Sequence, residues 1–210
     1  MIRFHIFGIP VTVQPFFWIT LALVGGALWV DDREGMIRLM FFIAAGFVSI
    51  MVHELGHALT AVRFGARTEI VLQAFGGYAA YSGVRMTRGQ SAMITAGGPG
   101  LQVVLGVLAY SVFHAAPDLP VYFRMFLYFT YVISFFWAIL NLLPVLPMDG
   151  GRLVEAAMGP SRMRTTLMVS LVTAVTIGLL GWVLFKSILL TIFMGYFAWL
   201  SYQELQKRRW

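Results

Sequence analysis

An apolar run at residues 36–62 limits most strongly how this chain can fold, because it is long enough to cross a bilayer as one helix. The rest of the chain has the same character. Of its 210 residues, 60% are hydrophobic and 11% are charged, and the mean hydropathy is +0.82. Such a composition leaves too little polar surface for an ordinary soluble domain. The sequence therefore predicts an integral membrane protein.

Short polar or Gly/Pro-rich stretches separate the apolar segments, which predicts an all-α, multi-pass protein with a single domain over residues 1–210. Six transmembrane helices are expected, at residues 15–30, 36–64, 90–114, 121–143, 165–185 and 187–202. The third is expected to be interrupted early by Gly97-Gly98-Pro99-Gly100, with close packing of a neighbouring helix on these small residues as the alternative. The N-terminus lacks the features of a signal peptide, so the first apolar segment should be retained.

Two segments depart from the helical pattern. Residues 2–13 are rich in β-branched and aromatic residues and are broken by Gly8 and Pro10, which predicts a small hairpin at the membrane interface. Residues 68–81 are β-prone at first and then interrupted by glycine, which predicts a small membrane-associated β element. An exposed strand edge there would suit an extended peptide that adds as a further strand. A simple amphipathic connector explains this segment equally well.

The basic residues are distributed unevenly between the two sides that six spans would create. Eleven of the 15 Lys and Arg residues lie in the termini and in the loops 63–88 and 152–164, which share one side. The other side carries four, which are Arg33, Arg38, Arg124 and Lys186. Since Lys and Arg concentrate in cytoplasmic loops, both termini and the face near residue 53 are predicted to be cytoplasmic. The net charge of +6 thus indicates membrane orientation, and no nucleic-acid partner is expected.

A histidine pair with a glutamate between its members lies inside the 36–62 run. His53 and His57 are four residues apart, so on a helix they project from one face and both can offer an imidazole nitrogen to a metal. Glu54 lies where a carboxylate can take a proton from a metal-activated water. The alternative is a pair of hydrogen-bonded core histidines. Function is favoured, because an unused glutamate in a membrane helix would be costly.

A catalytic zinc takes three protein ligands, so the pair needs a third. The chain has no cysteine, and His5 and His114 are expected to be ordinary interfacial residues. Asp149 follows a helix that ends in prolines and is expected to be the third ligand, with capping of the next helix as the alternative. Asn141 is expected either to hydrogen-bond substrate or to hold helices together.

These residues resemble the site-2 protease class of intramembrane zinc metalloproteases over most of the chain. The resemblance rests on His53-Glu54-Leu55-Gly56-His57, Phe75-Gly76-Gly77, Gly98-Pro99, and the run from Asn141 through Leu142-Leu143-Pro144-Val145-Leu146-Pro147-Met148 to Asp149-Gly150-Gly151. It implies one Zn²⁺ held by His53, His57 and Asp149, with Glu54 as general base and acid. It also implies that Asn141 positions the substrate.

The six-span layout resembles the branch that includes the sporulation protease acting on a pro-sigma factor. The CBS domain of that branch and the PDZ domain of other branches are missing from the sequence, so regulation is expected to come from partners in the membrane. The family often has Asn three residues after the Gly-Pro proline, where this chain has Gln102.

The expected function is hydrolysis of a peptide bond in or near a transmembrane segment of a membrane protein. Since a helix hides its carbonyl groups, the substrate must unwind locally. Five residues are expected to contact it or to line the water channel, which are Phe75, Gly76, Gly77, Gly98 and Pro99. A membrane zinc carrier that uses the same ligands is the alternative from another class, and a scaffold without catalysis is a third.

Overall fold

A computed structural model of the chain describes residues 1–74 and 76–208. This part of the chain is largely helical and includes four strands. The strands are β1 (Ile2–Ile6), β2 (Ile9–Val13), β3 (Arg67–Gln73) and β4 (Gly76–Ser82). The helices are α1 (Pro15–Val24), α2 (Arg33–Arg63), α3 (Arg88–Ala115), α4 (Val121–Asn141), α5 (Asp149–Met158), α6 (Met163–Phe185) and α7 (Ile188–Lys207). Two 3-10 turns lie at Ala27–Trp29 and Pro160–Arg162.

Within residues 1–74 and 76–208, four helical segments are long and apolar enough to cross a membrane, as an integral membrane protein requires. They are Arg33–Arg63, Arg88–Ala115, Val121–Asn141 and Pro160–Phe185. The expected first span is shorter than predicted, because α1 has ten residues, or about 15 Å, against a hydrocarbon core of about 30 Å. Helix α7 has twenty residues but is not among the four. The count of six spans is therefore not confirmed.

The predicted interruption of the third span is absent. Helix α3 continues through Pro99 from Arg88 to Ala115. Proline removes one backbone donor, but membrane helices tolerate it where neighbouring helices support the backbone. Close packing of Gly97 and Gly98 against α2 gives that support, as described below.

The strands form one sheet in the order β1-β2-β3-β4. The predicted N-terminal hairpin is β1 and β2, and the β element predicted near residues 68–81 is β3 and β4. Strands β2 and β3 pair in parallel, which joins the two hairpins. A parallel pair needs a crossover connection, and the chain between β2 and β3 contains α1 and α2. Helix α2, which carries the histidine pair, therefore lies in the crossover connection between β2 and β3.

Contacts within the chain group it into two compact units. The first comprises Met1–Arg85 and Gly97–Ala138. Its core is the buried face of the sheet packed on α1 and α2, with Val11, Ile70 and Leu72 among its most buried side chains. Strand β3 alternates between buried and exposed residues, as expected for a sheet with one face on a core.

The second unit comprises Met86–Ala96 and the chain from Ile139 onwards. Its core joins the loop between α4 and α5 to α6 and α7, and includes Val145, Met148 and Met194. The hydroxyl of Ser170 on α6 accepts a hydrogen bond from Leu146 N at 2.8 Å, which holds the loop directly before α5. The prediction of one domain stays a prediction.

Candidate metal centre

Helix α2 carries both histidines of the predicted metal site. The Nε2 atoms of His53 and His57 lie 3.1 Å apart, with the imidazole planes inclined by 82°. His53 and the neighbouring Glu54 are buried, with 3% and 4% of their surface exposed. The helical spacing therefore brings two nitrogen ligands together beside a carboxylate.

Asp149 supplies a third ligand atom. The ligand atoms of His53, His57 and Asp149 all lie within 4.8 Å of one another. Asp149 is the first residue of α5, and the N-cap position is Met148. Asp149 thus lies in the first turn of α5, where a carboxylate can also interact with the helix N-terminus, and the choice between ligand and cap stays a prediction.

The geometry of the two histidines fits a zinc ion. With Zn–N distances of about 2.0–2.1 Å, two nitrogens on a tetrahedral zinc lie about 3.3 Å apart. The observed Nε2–Nε2 separation of 3.1 Å is close to this value. Two histidines and one carboxylate also leave the fourth position open, as catalytic zinc sites require.

Gln102 of α3 contacts the first histidine. Its side chain is fully buried, and its Oε1 lies 2.9 Å from His53 Nδ1. Its Nε2 donates to Ser49 Oγ at 2.9 Å and to the Ser49 carbonyl at 3.4 Å. Ser49 Oγ in turn lies 3.0 Å from Ser134 Oγ of α4. A series of buried hydrogen bonds thus connects His53 through Gln102 and Ser49 to α4.

Small residues on α3 allow it to lie against the metal-binding turn of α2. A Cβ on Gly98 would overlap Nε2 and Cε1 of the His57 ring and lie 2.7 Å from its Cδ2. A Cβ on Gly56 would collide with the Gly97 carbonyl oxygen. Gly98 and Pro99 are both buried. Gly98 therefore packs against the ring of His57, one of the predicted ligands.

The start of β4 lies beside Glu54. A Cβ on Gly77 would be 2.9 Å from Glu54 Cγ and 3.0 Å from its Oε1. Gly76 has a φ of +131°, which favours glycine, and a Cβ there would be 3.2 Å from the Trp137 ring. Both glycines are thus needed to fit the strand against α2 and α4. Phe75, which the sequence predicts to contact substrate, lies outside the described residues.

The loop from Asn141 to Gly151 is tightly folded onto itself. Asn141 is the last residue of α4 and is partly buried. A Cβ on Gly150 would overlap the carbonyl oxygens of Leu142 and Leu143, so the start of α5 lies against the end of α4. Glycine at this position lets the backbone turn directly into the helix that carries Asp149.

In a comparison with known protein families, residues 115–181 match peptidase family M50. The matched segment includes the loop from Asn141 to Gly151 and Asp149 within it. Residues 115–181 of this chain are thus similar to peptidase family M50, in agreement with the resemblance to site-2 proteases seen in the sequence. The His53-Glu54-Leu55-Gly56-His57 motif lies outside the matched segment.

Curated relatives and a solved structure are similar to this chain over most of its length. A zinc metalloprotease of Methanocaldococcus jannaschii is 29% identical over 154 residues, which cover 73% of this chain and 44% of the relative. Stage IV sporulation protein FB of Bacillus subtilis is 30% identical over 149 residues, covering 70% and 46%. The chain thus spans less than half the length of these relatives. The structure of a site-2 protease from M. jannaschii has the same fold, with a TM-score of 0.64, 24% identity and coverage of 97% of this chain and 94% of that one.

The structure brings together several of the residues that the sequence singles out. His53, His57 and Asp149 form a group able to bind a metal ion, and the relatives are zinc enzymes by name, so the zinc prediction is confirmed at this level. The roles of Glu54 and Asn141 stay predictions. Gln102 stands out in the sequence only as a departure from the family pattern, and the sequence does not indicate that it contacts His53.

Proposed function

We propose that this chain is an intramembrane zinc metalloprotease that hydrolyses a peptide bond in or near a transmembrane segment of a membrane protein. The observation that supports it is the convergence of two imidazoles and one carboxylate, within 4.8 Å, next to the buried Glu54. A structural metal site would have no need of a further carboxylate at that position. Because the chain spans less than half of its curated relatives, its activity is a proposal.

In this proposal Glu54 transfers the proton of the reaction. A zinc ion held by His53, His57 and Asp149 would supply a water activated near neutral pH and polarise the scissile carbonyl. Glu54 takes one proton as the water oxygen adds to the carbonyl carbon. It then gives this proton to the amide nitrogen as the C–N bond breaks, which leaves a carboxylic acid and an amine. The proton of the acid then passes to the amine, so the final products are a carboxylate and an ammonium group.

We propose that the substrate binds as an extended segment along β4. Strand β4 is at the end of the described sheet, and its first residues lie against Glu54. Backbone hydrogen bonds to such an edge would hold a locally unwound peptide with its carbonyl groups accessible. Gly76 and Gly77 leave the edge without bulky side chains, and Asn141 would hydrogen-bond the substrate backbone. Gly98 and Pro99 would line the path of water.

The membrane arrangement that fits this function has both termini and the site on the cytoplasmic side. The bias of basic residues toward the termini and the loops 63–88 and 152–164 supports that orientation. The same proposal includes six membrane crossings. Four helical segments of the described residues are long and apolar enough to be such crossings. Regulated proteolysis of a membrane-bound partner is the cellular role that we infer from the likeness to the sporulation protein.

The substitution Glu54→Gln tests the proposal. Glutamine keeps the size of the side chain but takes no proton, so cleavage of co-expressed, tagged single-span proteins with Gly- or Pro-containing spans should fall about 100- to 10,000-fold. Zinc content of the purified protein, measured by atomic emission, should stay at one per chain. Glu69→Gln is the matched control, since Glu69 is an exposed glutamate on β3.

Two outcomes would contradict the proposal. Cleavage retained by Glu54→Gln would remove Glu54 from the mechanism. Zinc flux into vesicles in the absence of any cleavage would favour the carrier that uses the same ligands.

A further inference from the structure

We propose that Gln102 is a positioning residue that fixes the His53 imidazole with Nε2 toward the metal, and that Ser49 holds the Gln102 amide in the required orientation. The proposal rests on the zinc site of the proposed function. It adds two residues to that site, Ser49 of α2 and Gln102 of α3. It follows from buried hydrogen bonds that take no part in the proposed reaction.

The orientation of the Gln102 amide follows from the Ser49 carbonyl. A backbone carbonyl oxygen only accepts hydrogen bonds, so the group of Gln102 that faces it, at 3.4 Å, must be the NH₂. The same NH₂ donates to Ser49 Oγ at 2.9 Å. Consequently the amide oxygen Oε1 is the atom that faces His53.

The protonation of His53 follows from the amide orientation. Oε1 has no proton to give, so His53 Nδ1, at 2.9 Å, must carry the proton of this hydrogen bond. In a neutral imidazole the other nitrogen, Nε2, then has a free lone pair. Nε2 is the atom that faces His57 Nε2 at 3.1 Å, where the metal would lie. Gln102 therefore selects the tautomer that can bind a metal.

Burial makes this arrangement rigid. Gln102, Ser49 and Ser134 each have 0% of their surface exposed, so water does not compete for their hydrogen bonds. If the amide turned over, its NH₂ would point at His53 and its oxygen would face the Ser49 carbonyl, which is unfavourable in a buried site. Ser134 Oγ, 3.0 Å from Ser49 Oγ, connects this arrangement to α4.

The substitution Gln102→Leu removes the acceptor and keeps a similar volume. Partners that orient a metal-bound histidine typically contribute 10- to 100-fold to metal affinity, so zinc affinity should fall by about that factor. Affinity is measured on the full chain in detergent by competition with a chelating dye, and the absorption bands of the Co²⁺-loaded protein report whether the tetrahedral geometry is kept. Gln102→Glu restores an acceptor for Nδ1–H, but its second oxygen would face the Ser49 carbonyl oxygen in place of the NH₂ group. Its zinc affinity should therefore lie between that of Gln102→Leu and that of the unsubstituted chain.

Thr130→Val is the matched control. Thr130 is buried on α4 of the same unit, and its hydroxyl donates to Phe126 O of its own helix. This variant loses a buried hydroxyl without changing the contacts of His53, so its zinc affinity and Co²⁺ spectrum should not change. If Gln102→Leu does not fold, Ser49→Ala removes an acceptor that holds the Gln102 amide and should lower affinity by several-fold.

The outcomes separate this inference from the proposed function. If the unsubstituted chain binds zinc and Gln102→Leu binds it equally well with the same Co²⁺ spectrum, Gln102 does not position His53, and the proposed function is unaffected. If Thr130→Val weakens zinc binding as much as Gln102→Leu, the effect is one of general packing and the inference is wrong. If the unsubstituted chain itself does not bind zinc, the proposed function fails, and this inference fails with it.

Discussion

Replacing Gly98 with alanine would test how closely α3 is fitted against a metal ligand. The added Cβ would overlap His57 Nε2 and Cε1 and lie 2.7 Å from Cδ2, whereas ordinary van der Waals contact begins at 3.4 Å. The ring would have to move by at least 0.7 Å, the difference between these two distances. Metal–ligand distances vary by about 0.2 Å, so His57 cannot remain both in place and bound.

The expected result is a large loss of zinc affinity in a folded protein. Loss of an outer partner costs up to about 100-fold in metal affinity, and displacing a ligand should cost at least that much. Alanine is a better helix former than glycine by about 1 kcal/mol, so local helix propensity opposes unfolding of α3. Competition with a chelating dye measures the affinity, and circular dichroism of the same sample checks that the helices are intact.

Gly100→Ala is the matched control for this substitution. Gly100 lies two residues further along the same helix and is exposed, and a Cβ added there would meet no atom within 4 Å. Its replacement should leave zinc affinity unchanged. Zinc binding by Gly98→Ala within about threefold of Gly100→Ala would refute the packing of α3 on His57.

Three further substitutions address other parts of the site. Asp149→Ala should abolish stoichiometric zinc binding, and an unchanged metal content would show that Asp149 is not a ligand. Gly77→Ala should lower cleavage with little loss of zinc, because the Cβ would lie 2.9 Å from Glu54 Cγ, and a variant that cleaves normally would argue against that contact. Ser170→Ala should lower the free energy of unfolding by about 1–3 kcal/mol, because the partly buried Leu146 N–H loses its acceptor. Chemical denaturation in detergent measures this loss, and stability equal to the unsubstituted protein would contradict it.

The part of the site that depends on local periodicity was predictable from the sequence. His53, Glu54 and His57 lie within five residues of one apolar helix, so helical geometry alone brings the two imidazoles to one face. The two hairpins were also predictable, because each depends on short β-prone segments separated by a turn. Asp149 was inferred from the absence of other suitable ligands, and the structure places its ligand atom near the pair.

Interactions between distant segments were not predictable in this way. The parallel pairing of Val11 with Ile70 joins strands separated by two helices, and nothing in either strand specifies that partner. Gln102 is 49 residues from His53 in the chain, and a glutamine on an apolar helix has many ways to satisfy its hydrogen bonds. Which partner Gln102 contacts depends on how its helix is aligned with the neighbouring helices, and the sequence alone does not specify that alignment.

The glycines of α3 show how the same residues support two interpretations. As isolated residues Gly97, Gly98 and Pro99 have low helix propensity, so the sequence indicated a break, with close packing of a neighbouring helix as the alternative. In a membrane, where a helix must satisfy its own backbone, the same small residues instead permit close approach by a neighbour. Here the neighbour at Gly98 is the imidazole of His57. In this chain the glycine pair therefore indicates where α3 packs on the histidine of the neighbouring helix. Comparing alanine at Gly98 with alanine at Gly100 distinguishes this interpretation from a simple helix break.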